Sequence, residues 1–266
     1  MPELPSFSLD GLNAVVCGST QGIGRACAEA FADAGASITL VGRNEQALGM
    51  VKDGLAKSQS QCHGYLVADF SVHESLRTII GDWVAEGGRA HILVNNTGGP
   101  PAGAGIDGEA EAFAMAFEQH IMCNQVLAQA LVPGMREFGY GRIINIISTS
   151  VIAPIKGLGI SNTIRGSVAN WGRTLACELA QFGITVNNLL PGFTDTARLE
   201  SLLKGKASRM GSTLEEVRDT AFASIPAGRF ATPQETAAVA TFLASPAAAY
   251  VNGVNLPVDG GRTAGQ

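Results

Sequence analysis

One stretch of this chain limits its fold more than any other. The apolar run Asn13–Cys17 ends on Gly18. Gly18-Ser-Thr-Gln-Gly22-Ile-Gly24 then leads straight into the helical pattern Arg25–Ala34, which Gly35 stops. A strand that turns through three spaced glycines into a helix opens a βαβ unit. Gly18 permits the tight turn, Gly22 lets the backbone approach a diphosphate, and Gly24 lets the helix pack close to the strand. The helix start offers free N–H groups and a positive dipole end to an anion. The loop therefore predicts a dinucleotide site, with Ser19, Gln21 and Ile23 completing the set that faces the phosphates. The competing reading, an ordinary glycine-rich turn, does not explain why the glycines fall at the strand-to-helix junction.

The rest of the chain repeats the alternation. Strands are expected at Ile38–Val41, Tyr65–Ala68, Ile92–Asn95, Arg142–Ile147, Thr185–Leu190 and Val254–Val258. Helices are expected at Glu45–Leu55, Val72–Ala85, a long stretch ending near Phe138, Ile160–Gln181 and Pro233–Ala244. Strands joined by helical crossovers give a parallel sheet covered on both faces. The strands read as apolar throughout, as such a sheet requires. No linker or repeat divides the chain, so one domain over residues 1–266 is expected. It is an α/β Rossmann fold with a doubly wound, seven-stranded parallel sheet. The segment after Pro191 reads as looser, and residues 194–225 are a candidate lid over the site. Within it Leu199–Arg218 reads as a helical lid or a solvated helix pair, and Lys204, Lys206 and Arg209 as a solvated face or as a patch that meets a charged substrate.

Composition narrows the function. The net charge is −5 and no basic run appears, which argues against nucleic acid. No apolar run is long enough to span a membrane. Five cysteines (Cys17, Cys27, Cys62, Cys123, Cys177) are scattered without a CxxC pair. They read as reduced thiols in the cytoplasm, and no metal site is expected. The opening MPELPSFSLDG carries neither the basic nor the apolar region of a leader.

The second strand runs into Gly42-Arg43. An NAD site usually places an acidic residue there, to bind the ribose 2′-hydroxyl. An acid would repel a 2′-phosphate, whereas an arginine pairs with it, so NADP(H) is favoured over NAD(H).

Taken together, Gly18–Gly24, Asp69-Phe70, Asn95-Asn96-Thr97-Gly98, Ser148, Pro191-Gly192 and Val258-Asp259-Gly260-Gly261 resemble the short-chain dehydrogenase/reductase family. The resemblance runs over nearly the whole chain. From Gly228-Arg229-Phe230 onward it is similar to the 3-oxoacyl-acyl-carrier-protein reductase branch. It implies that Asp69 and the Phe70 N–H hold the adenine. It also implies that Asn96, Thr97 and Gly98 line the adenosine ribose, and that Pro191, Gly192 and Thr194 hold the nicotinamide carboxamide. Family membership further implies a homo-oligomer, a tetramer or dimer, acting on a small molecule or an acyl thioester.

The catalytic positions depart from the family pattern of Asn, Ser, Tyr and Lys. Ser148 stands at the serine position. Thirteen residues on, where the tyrosine is expected, is Ser161, and four further on, where the lysine is expected, is Arg165. Counting back from Pro133 puts His120 at the asparagine position. A serine hydroxyl is a far weaker acid than a tyrosine. It can still donate a hydrogen bond to a carbonyl or relay a proton to water. Arg165 stays charged and can bind ribose hydroxyls or an oxyanion. His120, with an ordinary pKa near 6.5, can feed protons through water, although a satisfied helix histidine is the blander reading. Ser148 is the residue expected to touch the carbonyl. These residues leave three readings open: an NADP(H)-dependent carbonyl reductase with a non-standard proton donor, an inactive NADP(H)-binding sensor or partner subunit, or a dehydration or isomerisation on the same scaffold.

Overall fold

The computed structural model describes residues 6–265. The first five residues of the stretch that argues against a leader, and Gln266, lie outside them. Chain order runs β1 (Asn13–Cys17), α1 (Gly22–Asp33), β2 (Ser37–Gly42), α2 (Glu45–Gly54), β3 (Gly64–Val67), α3 (His73–Ala85) and β4 (Ile92–Asn95). It continues with α4 (Ala110–Phe117), α5 (Cys123–Phe138), β5 (Gly141–Ile146), α6 (Gly159–Leu179) and β6 (Ile184–Pro191). The last elements are α7 (Ala197–Met210), α8 (Leu214–Ala223), α9 (Pro233–Ala244) and β7 (Asn255–Val258). All seven strands pair in parallel, in the order β3-β2-β1-β4-β5-β6-β7. The chain reverses direction between β1 and β4, and the carboxyl ends of such strands form the ligand crevice.

Alternation along each strand feeds two cores. Ala14 and Val16 pack with α1, α2 and α9 around Phe31, Leu40 and Leu243. Val15 and Cys17 face the other way, toward α3, α5 and α6, around Leu76, Leu127 and Ile143. The looser segment after Pro191 holds a pair of helices, α7 and α8. They close on a small apolar core of their own, which includes Leu199, Leu203, Val217 and Phe230. Thr196 caps α7 and a Thr213–Glu216 capping box starts α8, so local signals for both helices are present. The expected long helix before Phe138 is also interrupted. A single π turn, Glu118–Met122, joins α4 to α5.

The strands are not apolar throughout. Arg142 is buried on β5, where it donates to the Gly141 and Gly183 carbonyls and stacks on the Tyr140 ring. Across the sheet runs a buried ladder of asparagines in one register. Asn95 donates to Asn145 at 2.8 Å, Asn145 to Asn188 at 2.9 Å, and Asn188 to Asn255 at 2.9 Å. Gly172 of α6 crosses this ladder so closely that a Cβ there would lie 2.7 Å from Asn145 Nδ2. Asn145→Ala strands the Asn95 amide and the Asn188 oxygen in a dry interior. The expected loss is about 3 kcal/mol, a fall in Tm of roughly 6–12 °C. Thermal unfolding checks this, and a shift under about 2 °C would mean the ladder contributes little.

Candidate active site

The glycine loop is built as a tight cradle. Gly18 has φ +59°, and a Cβ on it would meet Asn96 Nδ2 and the Asn96 carbonyl, each at 2.7 Å. A Cβ on Gly24 would press on the Gly18 carbonyl and lie 2.6 Å from Asn96 Nδ2. Asn96, at the end of β4, donates to the Cys17 and Gly18 carbonyls at 3.2 and 3.3 Å. The two strands that flank the reversal are thus locked together at the mouth of the crevice. Ser19 is fully buried and tied to the Val41 carbonyl, while Gln21 stays exposed and Gly22 and Ile23 half-buried at the start of α1. This is a backbone that a diphosphate can approach.

Arg43 lies exposed at the end of β2, close enough to Asp69 to act on its charge. The Asp69 carboxyl is held below the usual carboxylate range chiefly by the Ser71 N–H, which donates to it at 2.9 Å; Arg43 adds a smaller pull. Phe70 is buried beside it and its carbonyl accepts from the Cys123 thiol. At the far end, the Pro191-Gly192 turn packs on Asp259, and a Cβ on Gly192 would lie 2.7 Å from that side chain. Thr194 is buried and its hydroxyl has no partner among the described residues.

Two of the expected catalytic residues, His120 and Arg165, line one small cavity at the carboxyl ends of β4 and β5. Ser148 follows β5 and caps a short turn, its Oγ accepting from the Ser150 N–H at 3.1 Å. With a lone pair used in this way, its proton is free for another acceptor. Ser161 is half-buried in the first turn of α6. Arg165, one turn further, is only 9 % exposed and donates from Nη1 to the Ile146 carbonyl at 3.0 Å. Burial first, and the neighbouring Arg198 second, bring its pKa down to about 10, so it remains a cation at neutral pH. His120 sits in the π turn and is 1 % exposed. It shares a cavity of about 10 Å³, the size of one water molecule, with Arg165, Asn95, Asn96, Thr97 and Asn124. Neither His120 Nε2 nor Asn95 Oδ1 has a partner among the described residues. Gly98 is exposed at the edge of the same turn.

The expectation that His120 titrates near neutrality is corrected here. Burial, then the positive charge of Arg165, push its pKa down to about 2, with a hydrogen bond to the Gly98 backbone opposing weakly. Its ring is neutral at neutral pH. It can donate or accept a hydrogen bond but holds no proton in reserve.

Three residues of the site carried no expectation. Thr196 places its methyl 3.4 Å from where a Cβ on Gly22 would be, directly beside the glycine loop. The repeated threonine in Thr194-Asp195-Thr196 after Pro191-Gly192 was the available signal. Arg198, in the first turn of α7, donates to the Pro100 carbonyl at 2.7 Å and so ties the 194–225 segment to the loop after β4. Asn124, four residues after His120 and just beyond the π turn, also lines the cavity. All three tyrosines lie elsewhere. Tyr65 OH donates to Glu45, Tyr140 OH to the Ala244 carbonyl, and Tyr250 is fully exposed. Among the described residues no cluster could hold a metal ion, and no helix is long and apolar enough to cross a membrane.

The enoyl-(acyl carrier protein) reductase family model matches residues 18–263. The chain is 32% identical to a tropinone reductase homologue of Arabidopsis thaliana, over 97% of this chain and 77% of that protein. It is 30% identical to the 3-oxoacyl-[acyl-carrier-protein] reductase of Vibrio cholerae, over 96% of this chain and 98% of that one. Among solved structures, L-sorbose reductase from Gluconobacter frateurii, complexed with NADPH and L-sorbose, has a TM-score of 0.89 at 31% identity, with 97% of this chain and 98% of that one covered. From the glycine cradle to the Asp259 turn, this chain belongs to the short-chain dehydrogenase/reductase family of oxidoreductases.

Proposed function

We propose that the protein is an NADP(H)-dependent reductase of a carbonyl substrate that works without the family's tyrosine and lysine. The observation that carries this reading is the Arg165 side chain, a buried cation fixed by the Ile146 carbonyl beside the crevice, where the family places its lysine. A chain that had lost its chemistry would have little reason to keep a charge there, since burying a cation is costly. The relatives known to reduce carbonyls, and the NADPH complex of L-sorbose reductase, point the same way.

When bound, a reduced nicotinamide supplies the hydride. Gly18, Ser19, Gln21, Gly22, Ile23 and Gly24 hold the diphosphate, and the tight backbone at Gly18 and Gly24 fits that group. Arg43 pairs with the 2′-phosphate. Asp69 and Phe70 border the adenine, and Asn96, Thr97 and Gly98 border its ribose. Pro191, Gly192 and Thr194, whose hydroxyl lacks a partner, face the carboxamide. Ser148 donates to the substrate carbonyl oxygen and Ser161 passes it a proton that water replaces. The product alkoxide is itself as strong a base as a serine alkoxide, so this transfer needs no lowered pKa. Arg165 binds the ribose hydroxyls and stabilises the negative charge on the oxygen. His120 stays neutral and orients the groups around the small cavity. Residues 194–225 close over the substrate as a lid. The free cysteines suit a reducing compartment such as the cytoplasm, and a homo-oligomer follows the family habit.

The test is absorbance at 340 nm with NADPH and a panel of ketones and 3-oxoacyl thioesters. Turnover above the protein-free control is expected. NADPH binding without any turnover would favour the second reading, a sensor or partner subunit, for which the placement of every tyrosine away from the site is the specific argument. Cofactor choice is tested separately by titrating bound nicotinamide fluorescence. Arg43→Asp is expected to weaken NADPH at least about tenfold relative to NADH, and an unchanged ratio would remove Arg43 from the site.

A further inference from the structure

Two cations in this crevice have no counter-ion. Arg198 stands in the first turn of α7, where the helix dipole disfavours a positive charge. The acids nearest to it in sequence are engaged elsewhere: Asp195 with Arg218 at 3.8 Å and Glu200 with Lys204 at 2.7 Å. Neither Arg198 nor Arg165 takes part in an ion pair among the described residues. Yet the two guanidinium groups converge. A Cβ on Gly99 would lie 3.3 Å from Arg198 Nη2 and 3.7 Å from Arg165 Nη2, so both nitrogens flank the same bare backbone. Arg165 is buried, and each arginine keeps only a single backbone carbonyl as a side-chain partner, Ile146 or Pro100. Most of the ten N–H donors of the pair are therefore unused. His120 Nε2, also without a partner, borders the same turn.

Like charges held together without an acid call for a bound anion. The cofactor diphosphate is one source. The glycine loop already provides for it at the start of α1, and Thr196 rather than Arg198 is the lid residue in contact with that loop. Gly99 instead follows β4, next to the strand whose end carries Ser148. We infer that Arg165 and Arg198, on either side of Gly99, form a receptor for a carboxylate of the substrate, and that the carbonyl compound reduced here is a small keto acid. Paired guanidinium groups match a carboxylate in geometry as well as charge. Because Arg198 belongs to the lid and Arg165 to the sheet-packed helix α6, the same anion draws the lid onto the site. This rests on the reductase reading of the site, and the experiment separates the two.

Pyruvate, acetoacetate, levulinate and 5-oxohexanoate, each beside its methyl ester, are titrated into the NADPH-loaded protein, with the fluorescence of bound NADPH as readout. At least one acid is expected to bind more tightly than its ester. Arg198→Met is expected to weaken that acid roughly 30-fold, while NADPH itself and the esters change less than about threefold. The inference is overturned if acids and esters bind alike, if no acid binds at millimolar concentration, or if Arg198→Met weakens NADPH and spares the acid. The last result would assign the arginine to the cofactor phosphates. Absorbance at 340 nm on the same samples then judges the reductase reading alone. Selective acid binding without NADPH oxidation keeps the carboxylate receptor and discards the reductase. Equal oxidation of acids and esters, equally affected by Arg198→Met, does the reverse.

Discussion

Ser148→Ala is expected to lower kcat/KM for ketone reduction by roughly 10²–10³-fold while leaving NADPH affinity within about threefold. The size follows from how few donors the site holds. No tyrosine lies within it. His120 is neutral and buried. Arg165 remains charged and is a poor proton source. The hydroxyl of Ser148 is fixed by the Ser150 N–H, which occupies one lone pair and leaves the proton for a carbonyl oxygen. Fixed donors stabilise a developing oxyanion because they need no reorganisation when the charge appears. Ser148→Thr keeps the hydroxyl and should recover a substantial part of the rate, whereas Ser161→Ala should slow the step that consumes a proton and so alter the solvent isotope effect. Steady-state kinetics on the best ketone of the panel decide it. An alanine variant that keeps more than about a tenth of the rate would show that the carbonyl oxygen is held by another group.

The parts of this molecule that could be read in advance are those governed by local rules. The junction of β1 and α1 announces itself because three glycines must fall where the backbone is crowded, and a Cβ at Gly24 meets the Gly18 carbonyl as the spacing requires. The strand positions follow from short apolar runs between helical patterns, and each of the seven falls within a residue of its expected limits. What spacing could not deliver was decided by tertiary contact. The asparagine ladder joins residues on four strands, and in the sequence each is only a polar residue in or beside an apolar run. Arg142 looked like the edge of a strand and is a buried cation satisfied by carbonyls. A helical lid could be read at α7 and α8, which carry proper caps, but not that their apolar residues pack on each other rather than on the sheet. The π turn matters most for the site. It interrupts what reads as one continuous helix at the place where His120 and Asn124 line the cavity. Counting back from Pro133 put His120 at the family's asparagine position but said nothing of its burial, and burial decides its chemistry.

That burial sets a pH dependence of stability. The folded ring of His120 has a pKa of about 2, against about 6.5 for an exposed histidine. Above pH 6.5 neither state holds a proton on it, and its effect on stability is nil. As the pH falls below 6.5 the unfolded chain takes up a proton that the folded chain refuses, so the folded state loses ground. At pH 4.5 the folded ring is still neutral, and the loss relative to pH 8 is roughly 3 kcal/mol from this residue alone. Stability from His120 is thus present above the unfolded pKa and declines as the pH falls toward the folded one. Other groups act in the same direction. His91 is lowered by burial, and Asp69, Glu118, Glu200 and Glu235 are lowered by their hydrogen bonds. Their shares are common to the parent and to a His120→Asn variant, in which a neutral amide replaces the ring, and cancel in the difference. The variant is therefore expected to lose roughly 3 kcal/mol less than the parent between pH 8 and pH 4.5 in urea unfolding, whatever its stability at pH 8. Parallel losses in the two proteins would mean that His120 is protonated in the fold, and a charged imidazole beside Arg165 would reopen it as a proton donor to the substrate.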